Sequence, residues 1–219
     1  MPTNNFVKAI IVVLLGVLGG TITWLFIFKN QSSFIQVVNK EEKIYIEENT
    51  ALTNIIKTVK DSVVALEVNY NQTKISGFGM VLTADGLVVT LAENIPQGSQ
   101  ANISIKGEAN ISYQVLKRDI ENNLALIKID KNNLQTKGFF DFSKLEIGER
   151  VFILSNSVNE GIVKSFNDDI VKTNIIENEI VNGAPVFNIK GEVLGIGYKD
   201  VNNFINIIPV SKIKSFAGL

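Results

Sequence analysis

Residues 9–28, AIIVVLLGVLGGTITWLFIF, carry no charged side chain, and Lys8 and Lys29 bound the run. Twenty helical residues cover roughly 30 Å, the thickness of a bilayer's hydrocarbon core. Trp24 stands near one end, where an aromatic ring favours the membrane interface. The run is long for the apolar part of a cleaved signal peptide, and no small-x-small cleavage pattern follows it. The pattern predicts a tail over 1–8 and an uncleaved, single-pass transmembrane signal anchor over 9–28. A cleaved signal peptide and a buried core helix are the alternatives. Lysines on both sides leave the orientation undecided.

Residues 29–61 form the next section. The polar stretch from Asn30 to Thr50 reads as a tether with the charged run NKEEK. Leu52, Ile55, Ile56 and Val59 then recur at the spacing of one helix face, which predicts a short helix over 51–61.

From Ser62 onward the helical period disappears and short β-branched runs alternate with turn residues. Strands are predicted near 63–70, 75–82, 87–90, 101–106, 111–117 and 124–129. A second set falls near 151–155, 161–166, 168–174, 184–189, 192–198 and 203–208. Asp85-Gly86 and Lys190-Gly191 read as tight hairpin turns. Twelve short strands at this spacing predict an all-β sandwich or barrel rather than a βαβ sheet, with the strands divided six and six over 62–130 and 151–219. The polar linker 131–150 separates them, and Pro209 to Phe216 closes the chain as a short helix with Pro209 in its first turn.

Composition then removes whole classes of chemistry. The 219 residues contain 21 Lys plus Arg and 22 Asp plus Glu, for a net charge of -1. That balance argues against a nucleic-acid binder. There is no cysteine, so a disulfide scaffold, a zinc–cysteine site and a thiol nucleophile are excluded. There is no histidine either, which removes the usual general base and the histidine-ligated metals. No metal site and no cofactor are implied.

Four segments in order, and a fifth between the last two of them, carry a family resemblance. GFGMVLTADGLVVTLAEN (77–94) resembles the Gly-x-Gly strand, DG hairpin and TNAHV strand end of the high-temperature-requirement (HtrA/Deg) trypsin-like serine proteases. NNLALIKI (122–129) resembles that family's NDLALLKI. LEIGERVFILSNS (145–157) resembles its LxxGdxVxaiGnP stretch. NGAPVFNIKGEVLGIGY (182–198) resembles SGGPLxNxxGeVIGIN, and GIVKSF (161–166) matches its GIVSA strand. The likeness covers roughly residues 60–216 and implies the chymotrypsin/trypsin-like fold, two six-stranded antiparallel barrels with a cleft between them. The family's frequent PDZ extension is not expected after Leu219.

The departures from the family pattern decide the functional expectation. The family's catalytic histidine falls on Glu93, its aspartate on Asn123 and its nucleophilic serine on Asn182. In the triad the serine attacks, the imidazole takes its proton and the aspartate orients the imidazole. A carboxamide is not an activated nucleophile, and no histidine exists elsewhere to replace the base. The oxyanion loop is also altered. Ile180 stands at the family's glycine position and Val181 and Asn182 follow it, so a remodelled hole is expected.

The resemblance therefore implies no catalytic residue and an inactive domain, a pseudoprotease. A hydrogen-bonded Glu93–Asn123 cluster would stabilise the cleft or bind a partner group, or these three polar residues are relics. The strand Gly195, Ile196, Gly197 and Tyr198 is the candidate peptide-binding surface, through strand addition. Its glycines serve close packing on the alternative reading. The partners implied are the membrane, through the N-terminal helix, and extended or misfolded polypeptides or active HtrA-like relatives. A homo- or hetero-trimer is expected by analogy, on the extracytoplasmic face of a bacterial membrane. The alternatives are an endopeptidase with a non-standard site and a structural spacer of the envelope.

Overall fold

The computed structural model describes residues 11, 15–21, 23–25 and 50–219. Its contacts divide the chain into two units, Met1–Ala51 and Leu52–Leu219. In the first unit the described residues between 11 and 25 are helical and exposed. The Thr21 hydroxyl donates to the Leu18 carbonyl at 2.9 Å and the Thr23 hydroxyl to that of Gly19 at 2.9 Å. No helix among the described residues is long and apolar enough to cross a membrane. The rest of the anchor expected over 9–28 lies outside the described residues, as does the tether expected over 30–50 except for its last residue, Thr50, which is helical.

A helix over 50–59 (α1) leads into the second unit, where Leu52, Ile55, Ile56 and Val59 pack on the core as their spacing predicts. Six strands follow: β1 (Val63–Tyr70), β2 (Thr73–Val81), β3 (Leu87–Leu91), β4 (Gln100–Ser104), β5 (Tyr113–Asp119) and β6 (Leu124–Ile129). They form one antiparallel sheet in the order β4-β1-β2-β3-β6-β5. The second six are β7 (Arg150–Leu154), β8 (Val158–Phe166), β9 (Val171–Ile176), β10 (Pro185–Asn188), β11 (Val193–Lys199) and β12 (Phe204–Pro209). These close on themselves in the order β10-β11-β12-β9-β8-β7.

Only one of the two expected barrels is therefore closed; the first half is an open sheet with no ladder between β4 and β5. The reason lies in the connection. Lys106, Gly107 and Asn110 all have positive φ, so residues 105–112 turn sharply instead of extending either strand. One backbone bond, from the Ile111 amide to the Ile103 carbonyl at 3.1 Å, and two side-chain contacts fill in for the missing ladder. The Ala101 amide donates to the Tyr113 phenol oxygen at 3.0 Å and the Asn110 amide to Asn102 Oδ1 at 2.9 Å. The strand expected over 168–174 likewise begins only at Val171. Asn167 Oδ1 takes the amides of Asp169 and Ile170 and holds those residues in a turn.

Three apolar clusters fill the unit. One lies in the concavity of the open sheet, around Leu66, Ile103, Ile127 and Ile129. Another fills the closed barrel, around Val151, Ile153, Val163, Ile175 and Ile207. The third joins the halves: Met80, Leu91 and Leu126 of the open sheet meet Phe152, Phe187 and Ile196 of the barrel. The terminal helix α2 (Val210–Ala217) seals this third cluster with Val210, Ile213 and Phe216. Pro209 stands just before that helix as its N-cap, one position earlier than expected, and Gly218 ends it with φ +76°.

The hairpin at Asp85-Gly86 forms as expected, and it sets an acid sensitivity. Hydrogen bonds from Lys128 and then Thr83 hold the Asp85 carboxyl down at about 2. Asp119, Asp141 and Glu177 are also held below the usual carboxylate range, chiefly by the amides of Asn122 and Glu179 and the hydroxyl of Ser143. A carboxylate with a lowered folded pKa stabilises the fold above its unfolded value, and that contribution is lost as pH falls through the folded one. The melting temperature is expected to fall progressively between pH 4 and pH 2, and Asp85→Asn to remove part of the slope. Because these groups are exposed or partly exposed, salt should flatten it as well. A melting temperature independent of pH over that interval would contradict the assignment.

Candidate functional site

The three positions singled out by the family pattern meet at the junction of the two halves. Glu93 lies in a short 3-10 turn, Ala92–Asn94, that ends β3. Asn123 immediately precedes β6 with φ +53°, a conformation that asparagine tolerates better than most residues. Asn182 sits in the turn before β10.

Asn123 caps the 3-10 turn. Its backbone carbonyl accepts from the Ala92 amide at 3.1 Å, and its Oδ1 accepts from the Glu93 amide at 3.1 Å. The expected Glu93–Asn123 bond thus uses the backbone of Glu93 and leaves its carboxylate free for another partner. That partner is Asn182, whose Nδ2 donates to Glu93 Oε1 at 2.9 Å. Asn182 Oδ1 in turn accepts from the Lys199 amide at 3.1 Å. Both ends of the Asn182 carboxamide are engaged.

Beneath this exposed chain of bonds lies a buried one that involves residues not singled out from the sequence. The Asn182 carbonyl accepts from the Phe78 amide at 2.9 Å and from Asn94 Nδ2 at 2.8 Å. Asn94 is buried, and its Nδ2 also lies 3.1 Å from the Thr90 hydroxyl. The Thr90 hydroxyl donates to the Phe78 carbonyl at 2.6 Å. Asn94 therefore ties the open sheet to the turn that carries Asn182. Two glycines make the approach possible. A Cβ on Gly77 would lie 2.5 Å from Asn94 Cγ, and one on Gly183 would lie 2.1 Å from the Phe78 carbonyl oxygen. The signal was present in LVVTLAEN, where Thr90 interrupts an apolar run that Glu93 and Asn94 end.

The altered loop is shaped from inside the barrel. Val181 is fully buried in the barrel core, whereas Ile180 is half exposed. None of Ile180, Val181 and Asn182 has a positive φ; that conformation falls on Gly183, at +86°. Lys199 Nζ holds the loop by donating to the carbonyls of Asn178 at 3.3 Å and Glu179 at 3.0 Å.

The strand chosen for peptide binding needs correction. β11 is internal to the closed barrel, with β10 on one edge and β12 on the other. The Gly197 amide donates to the Ala184 carbonyl at 2.8 Å, and its carbonyl accepts from the Gly183 amide at 2.7 Å. Gly195, Ile196 and Gly197 therefore have no free edge for an added strand. Close packing accounts for the glycines: a Cβ on Gly195 would lie 1.9 Å from the Ile208 carbonyl oxygen. Tyr198 pairs with Asn206 of β12, and its half-buried phenol is pushed up by burial and by the nearby Asp200 charge. The edge opens only at Lys199, past the start of β10.

A six-stranded sheet beside a closed six-stranded barrel, with Glu93, Asn123 and Asn182 gathered at their junction, is a specific arrangement. A family model described as a trypsin-like peptidase domain matches residues 77–196, more than half of the chain. The chain belongs to the trypsin-like peptidase domain family. It is similar to serine protease HTRA1A of Danio rerio, 29% identical over 192 residues that cover 75% of this chain and 40% of the relative. It is also similar to a protein of Pseudomonas putida named probable periplasmic serine endoprotease DegP-like. That relative is 31% identical over 134 residues, 55% of this chain and 28% of the relative. A Halomonas elongata protein of the same name is 27% identical over a stretch of the same length. The chain spans well under half the length of these curated relatives. Among the described residues of this trypsin-like domain, no group of three or more acidic side chains is placed to hold a metal ion.

Proposed function

We propose that this trypsin-like domain is a pseudoprotease that binds polypeptide instead of cutting it. The observation that carries the reading is the Asn182 carboxamide at the position matched to the family nucleophile, bonded at both ends to Glu93 and the Lys199 amide. A carboxamide so held has no hydroxyl to activate, and a chain without histidine has no imidazole to activate it. The ligands on this reading are extended or misfolded chains, or active HtrA-like relatives that the domain regulates, in a homo- or hetero-trimer. The segment 9–28 anchors the domain to a bacterial membrane. The word periplasmic in the names of the bacterial relatives supports an extracytoplasmic placement.

Fluorescein-labelled casein tests the inactivity. The purified chain is expected to release no more fluorescent peptide than a buffer blank. Turnover that survives repurification and disappears in Asn182→Ala or Glu93→Ala would overturn the reading in favour of an unorthodox peptidase. Binding of unfolded β-casein, followed by fluorescence polarisation, tests the other half. Absence of binding at every concentration would favour a structural spacer of the envelope.

A further inference from the structure

The edge of β11 is open at one residue, and that residue is already covered. In an antiparallel ladder, alternate residues turn their N–H and C=O groups to opposite edges. Gly197 faces the edge shared with Gly183 and Ala184, and Asp200 donates to Phe204 on the opposite edge at 2.9 Å. Lys199 therefore presents its amide on the Gly197 edge. β10 does not reach it, since their pairing begins at Pro185 opposite Ile196. No strand lies against Lys199 there, and the Asn182 side chain takes the place of one.

The geometry of that side chain resembles a strand's backbone. A carboxamide has the same C=O and N–H groups as a peptide unit. Here the C=O accepts from the Lys199 amide at 3.1 Å, as a neighbouring strand's carbonyl would, and the N–H donates to Glu93 at 2.9 Å. Lys199 is secured a second time through its side chain, which bonds two carbonyls of the loop before Asn182. We propose that the Asn182 carboxamide is a built-in competitor for extended polypeptide, and that a bound segment reaches the Lys199 amide only by displacing it. This rests on the reading that the domain binds polypeptide, and adds that the site is held closed by its own side chain. Removing the cap relieves the incoming chain of breaking two hydrogen bonds, one of them to a carboxylate.

The test uses the 219-residue chain in mild detergent with fluorescein-labelled β-casein, read by polarisation. Asn182→Ala is expected to bind about tenfold more tightly than the unaltered chain, the scale of one to two net hydrogen bonds. Glu93→Gln keeps an acceptor for Nδ2 but removes its charge, and a gain of about two- to threefold is expected. Hydrogen exchange at the Lys199 amide, measured without casein, should quicken about tenfold in Asn182→Ala. Equal affinities in all three proteins would overturn the cap while leaving polypeptide binding intact. An unchanged Lys199 exchange rate would overturn it too. Absence of casein binding in all three would overturn the binding reading itself, and the cap with it. If Asn182→Ala fails to fold, the comparison of Glu93→Gln with the unaltered chain decides by the same criterion.

Discussion

Gly183→Ala is expected to lower the melting temperature by roughly 10 °C, a loss of about 4 kcal/mol for a domain of this size. Two costs combine. The residue has φ +86°, where an L side chain costs about 1–2 kcal/mol. The added Cβ would also lie 2.1 Å from the Phe78 carbonyl oxygen, and relieving that contact pushes the turn away from β2. The Phe78–Asn182 and Asn94–Asn182 bonds then lengthen together, at about 1 kcal/mol each. Gly218→Ala separates the two costs. It also has positive φ, at +76°, but a Cβ there meets nothing within 4 Å. It is expected to cost only the conformational part, seen as a shift of a few degrees. Thermal melts of the two variants giving equal shifts would show that the close approach at Phe78 carries no energy.

Phe187→Ala is expected to cost about 3–5 kcal/mol, the range for removing a large aromatic from a packed core. Phe187 is fully buried and stacks on Phe152 with ring centroids 5.5 Å apart. Both rings belong to the cluster shared by the open sheet, the barrel and α2, so the cavity opens where the halves meet. Phe187→Leu fills much of that space and should recover more than half of the loss. Urea unfolding with tryptophan-independent circular dichroism gives both numbers. A cost below about 1 kcal/mol for the alanine variant would mean that this cluster does not hold the halves together.

Much of the architecture was legible along the chain. Val64, Leu66 and Val68 in β1 and Val171, Thr173 and Ile175 in β9 alternate with less buried or exposed neighbours, and such a period assigns a strand without reference to the rest of the fold. The glycines of the two hairpins, Gly86 and Gly191, have the positive φ that their turns demand. The open edge of the first sheet was less legible, because it depends on whether β4 and β5 pair. That choice was made by three positive-φ residues between them and by a tyrosine hydroxyl standing in for a strand.

The site divides in the same way. Residue identity by itself determined that no imidazole or thiol works here, and the order of motifs picked out Glu93, Asn123 and Asn182, positions up to 89 residues apart. Tertiary structure alone decided what those side chains touch. It turned the Glu93 carboxylate to Asn182 instead of Asn123, placed the buried Asn94 beneath them, and closed both edges of Gly195–Gly197. The physical reason is that residue type and period report local preferences, whereas a hydrogen bond between distant residues depends on how two packed halves meet. Here that meeting is set by the absence of a Cβ at Gly77 and Gly183, which lets two backbones and one asparagine share a space no larger side chain could enter.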